Sequence, residues 1–251
     1  MSITDTTEKK ENLTTPLCRY VPFCNFCEML FFQCLTLVSP EQWNDKYENY
    51  VMSLISQGKL SGDFMEQIKT ENGFDDEQVE EILGFAKDIC KVARCLCFSQ
   101  SIDAEVMWNA YKYGNEAIMW ITTDEKIKSI TSDYVLAKVD YDLETIGING
   151  FLDQFSTYNG DVALKNVQSF LSHKRQFFQY ENEWRIIDMH FANSVSKTLS
   201  FKIPSLSDFI DGVMVHPQAE ERYVRLVKKI CEHFGVKFIG KSQIYEMKEI
   251  Y

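Results

Sequence analysis

Apolar positions along the chain recur with two periods, and the switches between them mark the elements. Leu17-Cys18-Arg19-Tyr20-Val21 is a short mixed apolar run stopped by Pro22, and it reads as a strand. Phe23, Phe26, Cys27, Leu30 and Phe31 then fall at helical spacing, so residues 23–33 read as a helix. Residues 35–38 return to a strand, and Ser39-Pro40-Glu41 opens a helix with an N-cap followed by proline in the first turn. Residues 48–94 read as helices only. One covers 60–70. Another starts at Asp75-Asp76-Glu77-Gln78 and runs to Arg94 on a stripe of Val79, Ile82, Leu83, Ala86, Ile89 and Cys90. Acids at its start and Lys91 and Arg94 at its end suit the helix dipole. This stretch is expected to be a helical insertion or lid.

Downstream, strands are expected at 95–99, 117–122, 134–140, 184–189, 198–203, 213–215, 236–239 and 243–247. Helices are expected at 104–113, 161–173 and 219–234, the last closed by Gly235 as a C-cap. Residues 1–13 are polar and read as a disordered tail. The remainder, 14–251, reads as a single α+β domain with many strands and no regular βαβ alternation.

Against this pattern Gln179-Tyr180-Glu181-Asn182-Glu183-Trp184-Arg185-Ile186-Ile187 stands out. Read as one strand, it places Glu181 and Glu183 on the same face. Like charges on one face of a strand repel, which a sequence tolerates at a water-facing edge or where carboxylates do chemistry. Both readings stay open at this level.

Composition narrows the choices. A chain of 251 residues, 45% of them apolar, can bury a sizeable core. A net charge of −11 argues against a general nucleic-acid or anionic-membrane binder, while leaving room for a local basic pocket. No run of 18 apolar residues exists, so no membrane span is expected, and the apolar stretch at 29–38 reads as buried and not as a signal peptide. Eight cysteines are present, and Cys24-Asn25-Phe26-Cys27 has half of a zinc-knuckle spacing, but no second pair follows. Most cysteines lie among Leu, Phe, Val and Met, so reduced core thiols in a cytoplasmic protein are expected, with no metal and no disulfide. The four histidines form no metal spacing, and no phosphate-loop, dinucleotide-loop or nucleophile-elbow motif occurs.

Several motifs recur in a fixed order: Leu17-Cys18-Arg19-Tyr20-Val21-Pro22; Ser39-Pro40-Glu41-Gln42-Trp43-Asn44-Asp45-Lys46-Tyr47-Glu48; Cys97-Phe98-Ser99; Met107-Trp108-Asn109-Ala110-Tyr111; Lys174; and Tyr180-Glu181-Asn182-Glu183-Trp184-Arg185. The series, over residues 17–245, resembles a bacterial family that carries a domain of unknown function and is often met near phage-defence and mobile-element genes. Lys46 stands where that family usually has proline, and Ala110 where it often has histidine. More distantly, Arg19, Ser99 and Glu181-Asn182-Glu183 resemble the ordered motifs of ADP-ribosyltransferases of the Arg-Ser-Glu type.

That resemblance implies a split or bent mixed sheet with flanking helices and a helical insertion. It also implies NAD as a substrate, without a metal, in an ADP-ribosyltransferase or NAD glycohydrolase. Such a protein would act as an effector or toxin in a bacterial defence system, with a protein partner from the same locus. Glu183 would stabilise the oxocarbenium-like transition state at the nicotinamide ribose, and Glu181 would orient the acceptor or take its proton. Arg19 would hold the pyrophosphate, with Tyr20, Ser99, Trp108, Tyr111 and Arg185 completing the NAD site. A purely structural account remains beside it. There, Arg19 pairs with Glu48 or Glu181, Ser99 caps the helix near Asp103, Trp108 and Tyr111 are core, and Arg185 pairs with Asp45 or Glu48. The corresponding alternative function is a non-catalytic nucleotide- or partner-sensing module. An antitoxin-like binding protein is a third reading.

Overall fold

The first apolar run becomes a central strand. β1 (Pro16–Val21) lies in the middle of a mixed sheet in the computed structural model, which describes residues 14–43, 62–63, 66, 69–70, 73–131, 134–141, 171–188 and 198–246. On one side β1 pairs with β4 (Ile118–Thr123), antiparallel from Pro16↔Thr123 to Val21↔Ile118. On its other side it meets β3 (Arg94–Ser99) at a single bridge, Cys18↔Ser99. β2 (Cys34–Val38) meets the far end of β3, again at one bridge, Val38↔Cys95, and pairs along its length with β7 (Thr198–Lys202). The sheet therefore forks at β3: β1 takes one end, β2 takes the other, and a gap opens between them.

The opposite edge of β3 is fully paired with β6 (Glu183–Asp188), from Arg94↔Asp188 to Ser99↔Glu183, and β6 is covered in turn by β5 (Val135–Lys138). Beyond β4 come β8 (Gly212–Val215), antiparallel, and β9 (Phe238–Lys241), parallel to β8. Among the described residues these nine strands form one sheet.

Period-two alternation divides β1 between two cores. Leu17 and Val21 join Phe26 and Leu30 of helix α1 (Phe23–Phe32), Leu37, Leu96, Phe98, Trp120, Ile186 and Val213. Tyr223, Val227 and Cys231 of a C-terminal amphipathic helix, Glu221–His233, complete this larger core. Cys18 and Tyr20 face the other way, against Met107, Trp108 and Met119. Full burial of each large aliphatic or aromatic side chain is worth about 1.5–3 kcal/mol, so β1 is anchored from both faces.

Several expectations need correction. Residues 179–187 are not one strand. Gln176–Glu181 is a 3-10 helix, Asn182 is left-handed at φ 42°, and the strand begins at Glu183. β6 is not an edge either, since β3 and β5 flank it, and Glu181 and Glu183 are only 6% and 3% exposed. Residues 243–246 form no strand. β8 ends at Val215, where the chain turns into His216-Pro217, so the last segment has no strand to continue on and closes a turn through Glu246 N–H to the Gln243 carbonyl. The helix expected at 104–113 is confined to Glu105–Ala110, with Ala104 and not Ser99 at its N-cap. Ser39-Pro40-Glu41 opens a single 3-10 turn, Pro40–Gln42, with the Ser39 hydroxyl accepting from Glu41 N–H.

Two short helices, Asp124–Ile130 and Leu206–Phe209, escaped the pattern because they are too brief to show a period. Within the expected insertion the helix Asp76–Val92 is present, and Arg94, which opens β3, donates to the carbonyl of Lys91 in that helix's last turn at 2.8 Å. The tail 1–13, residues 44–61, and 161–170 of the helix expected at 161–173 lie outside the described residues.

Asn182 converts the 3-10 helix into β6, its N–H reaching the Gln179 carbonyl (3.1 Å) and its own carbonyl accepting from Gln100 N–H (3.0 Å). Asn and Gly adopt the left-handed region readily and β-branched residues do not. Asn182→Val should lower stability by roughly 1–3 kcal/mol, and Asn182→Gly should cost much less. Denaturant unfolding of the two variants against wild type checks this, and equal costs would show that the turn imposes no such constraint.

Candidate functional site

The gap in the sheet fork is a cleft of about 620 Å³ lined by Arg19 and Val21 from β1, Leu35 and Val38 from β2, and Cys95 and Cys97 from β3. Trp43, Tyr111, Lys174, Phe178, Glu181 and Glu183 close it. A smaller hollow of about 150 Å³ continues from it, shares Arg19, Cys97, Tyr111, Glu181 and Glu183, and reaches Tyr20 and Ser99. The larger volume lies within the roughly 300–1,000 Å³ usual for small-molecule and cofactor sites.

The two carboxylates are held by a buried ion network. The Lys174 ammonium donates to Glu181 Oε2 at 2.5 Å and to Glu183 Oε2 at 3.0 Å. Arg185 grips Glu183 with two nitrogens, Nε to Oε1 at 2.8 Å and Nη2 to Oε2 at 3.1 Å, and sends Nη1 to the Leu171 carbonyl at 2.7 Å. The guanidinium of Arg185 lies over the Trp43 ring, 4.4 Å from its centroid. Paired geometry of this kind is what makes two acids tolerable in a dry setting.

The backbone between the acids is clasped by the loop after β3. Ser99 Oγ donates to the Glu181 carbonyl at 2.5 Å, Gln100 N–H to the Asn182 carbonyl at 3.0 Å, and Ser101 Oγ to the Tyr180 carbonyl at 2.7 Å. The Tyr141 hydroxyl accepts from Glu183 N–H at 2.8 Å. The Tyr20 hydroxyl donates to the Ser101 carbonyl at 2.8 Å and accepts from Ala104 N–H at 3.2 Å, so β1 braces the same loop. Trp108 is fully buried, donates Nε1–H to Asp103 at 2.8 Å, and meets Tyr20 edge-on at 4.8 Å.

The residues singled out in the sequence thus divide. Arg19, Tyr111, Glu181 and Glu183 face the main cleft. Tyr20 and Ser99 border the smaller hollow and hold the loop that carries the acids. Arg185 lies beneath Glu183 with no exposure, and Trp108 lines neither space. The structural pairings for Arg185 with Asp45 or Glu48, and for Arg19 with Glu48, fall outside the described residues. Lys174, Trp43, Cys97 and Tyr141 had no assigned role from the sequence. Trp43, Cys97 and Lys174 did stand in the ordered motifs, and Lys174 also lay in a basic run, His173-Lys174-Arg175, shortly before two acids that need neutralising, whereas Tyr141 carried no signal.

The acids are driven apart electrostatically. Burial pushes the Glu181 carboxyl up to about 7, against the opposing pull of Lys174. Burial also works against the charge on Glu183, but the Arg185 guanidinium, aided by Lys174 and the Cys97 thiol, reverses this and holds its carboxyl well below the ordinary range. Arg19 is different. Burial lowers its pKa and Glu183, Cys97, Tyr111 and Tyr113 surround it, yet no hydrogen bond or ion pair holds its guanidinium among the described residues. A guanidinium stays charged in such a setting, so the cleft offers five donors to an anion.

Seven described cysteines, Cys18, Cys24, Cys27, Cys34, Cys95, Cys97 and Cys231, are free thiols. Among the described residues no group of three or more His, Cys, Asp or Glu side chains is placed to hold a metal, and no helix is long and apolar enough to cross a membrane.

The two acids should act oppositely on stability. Glu183, with its pKa depressed, stabilises the fold above the ordinary carboxylate value of about 4.3 and loses that contribution as the pH falls through its folded value. Glu181, with its pKa raised, stabilises fully below about 4.3 and loses the contribution as the pH rises toward 7. Glu181→Gln should therefore gain roughly 1–3 kcal/mol relative to wild type between those limits. Denaturant unfolding of both proteins across that range measures the difference, and a constant difference would show that Glu181 is not perturbed.

No family model and no curated protein matches the chain. Among solved structures, DarT of Thermus sp. 2.9 in complex with ADP-ribosylated ssDNA aligns over 89% of this chain and 92% of its own, with a TM-score of 0.38 and 9% sequence identity.

Proposed function

We propose that the protein consumes NAD, as an ADP-ribosyltransferase or NAD glycohydrolase, and that it serves as an effector or toxin in a bacterial defence system. The observation that carries the chemistry is the Arg19 guanidinium, unpaired among the described residues, in one cleft with an ionised, buried Glu183. The defence role follows from the motif resemblance alone.

In this reading Arg19 binds the pyrophosphate by charge-assisted hydrogen bonds. Tyr111 offers an aromatic wall, and Glu183 sits where positive charge develops as the bond between nicotinamide and ribose breaks. The bonding electrons leave with nicotinamide, and the oxocarbenium carbon is captured by water or by an acceptor nucleophile, which gives up a proton. Glu181, poised near neutrality by burial, is the group that can take that proton. Ser99 acts indirectly, by holding the Glu181 backbone.

A second reading has its own support. Glu183 already accepts two bonds from Arg185, one from Lys174 and a weak one from the Cys97 thiol, which fills the roughly four acceptor positions of a carboxylate. This suits a module that binds a nucleotide without cleaving it. For catalysis, the Cys97 thiol is the weakest donor and the one a ribose hydroxyl would displace.

Incubation with NAD, with free nicotinamide as the readout, separates the two. Release by wild type supports the enzyme, and saturable NAD binding without release supports the sensing module. If the enzyme reading holds, Glu183→Gln should lower kcat by roughly a hundredfold or more with a smaller change in KM. Arg19→Ala should chiefly raise KM. Wild-type kcat in a folded Glu183→Gln protein would remove Glu183 from the chemistry.

A further inference from the structure

We propose that Lys174 is a positioning residue for the carboxylate pair: its ammonium fixes Glu181 and Glu183 relative to each other and sets the pH at which Glu181 is ionised and able to accept a proton. The catalytic consequence rests on the NAD reading, whereas the control of Glu181 ionisation does not.

The geometry assigns this role to one side chain. Arg185 is committed to Glu183 and to the Leu171 carbonyl, and no guanidinium nitrogen is bonded to Glu181 among the described residues. Lys174 is the cation that touches both acids. It is 7% exposed, and its ammonium lies 5.1 Å from the centroid of the Phe178 ring, so water does little to screen it. Its backbone is pinned as well. Lys174 N–H donates to the Asp140 carbonyl at 3.0 Å, and Asp140 N–H to the Ser172 carbonyl at 2.8 Å. A flexible side chain thus starts from a fixed point.

The other groups facing Glu181 cannot replace it. Glu183 from β6 repels it, Tyr111 approaches from the helix Glu105–Ala110 side at 3.5 Å as a neutral hydroxyl, and Tyr180 and Tyr141 stay neutral near physiological pH. Arg19 acts on Glu183 across the cleft. Removing the ammonium leaves Glu181 buried beside a carboxylate, and its protonated form then dominates to higher pH.

The test compares wild type, Lys174→Met and Lys174→Arg. Carbon-13 NMR titration of the Glu181 carboxyl should place its midpoint roughly 1–3 pH units higher in Lys174→Met, the usual effect of losing one close opposite charge, and near wild type in Lys174→Arg. If wild type releases nicotinamide, the acid limb of kcat/KM should move by the same amount. An unchanged midpoint in Lys174→Met overturns the proposal, whatever the activity. Absence of nicotinamide release with a shifted midpoint overturns the NAD reading and leaves the role of Lys174 standing.

Should Lys174→Met fail to fold, Lys174→Gln, which keeps a polar donor without the charge, takes its place. The Glu181 midpoint should again lie roughly 1–3 pH units above that of wild type, and an unchanged midpoint in the folded variant would sink the proposal.

Discussion

Four charged side chains, Lys174, Glu181, Glu183 and Arg185, are each less than a tenth exposed and satisfy one another. Any one of them alone in that position would cost several kcal/mol, and removing one partner from such a pair typically costs about 3–5 kcal/mol. The network therefore holds only when its supports are in place together. Leu171 must offer its carbonyl to Arg185, the Asp140 bridge must pin Lys174, Trp43 must lie across the guanidinium, and the loop after β3 must fix the backbone of the acids. Segments from much of the chain are drawn to one point by the need to neutralise buried charge.

The sheet supplies the opening. A fully paired β1–β3 edge would leave no room above Cys97. Because β1 and β2 each take one bridge at opposite ends of β3, a gap forms in the middle of the sheet. Arg19 belongs to the strand that is anchored in both cores, so its guanidinium is delivered into that gap from a rigid base. In a chain with a net charge of −11, any favourable setting for an anion has to be local, and a half-buried guanidinium in a cleft is an arrangement in which a single charge counts for much.

The motif residues consequently fall into two kinds of work. Arg19, Tyr111, Glu181 and Glu183 face the cleft, while Tyr20 and Ser99 brace the loop that carries the acids, Arg185 grips Glu183 from beneath, and Trp108 packs on Tyr20. The second group would look equally prominent in any sequence motif, since losing a brace misplaces the acid it supports. The placement of a buried carboxylate depends on such supports.

Most strands and the longer helices were legible in the sequence because apolar periodicity is local. A strand such as Pro16–Val21 or a helix such as Glu221–His233 carries its own pattern. The two glutamates were legible too, as a charge pattern that an ordinary strand would avoid, and the order of motifs joined Arg19, Ser99 and Glu183 before any geometry was known. The conformation between the acids was not. Asn182 and the 3-10 turn before it are held by a hydroxyl 82 positions away in the chain, so no local window contains the cause. The fork was equally hidden, since it depends on which strands compete for one edge of β3. The contacts of Lys174 with both acids and the opposed ionisation of Glu181 and Glu183 belong to the tertiary structure alone, because desolvation and ion pairing are properties of the folded environment and not of residue type.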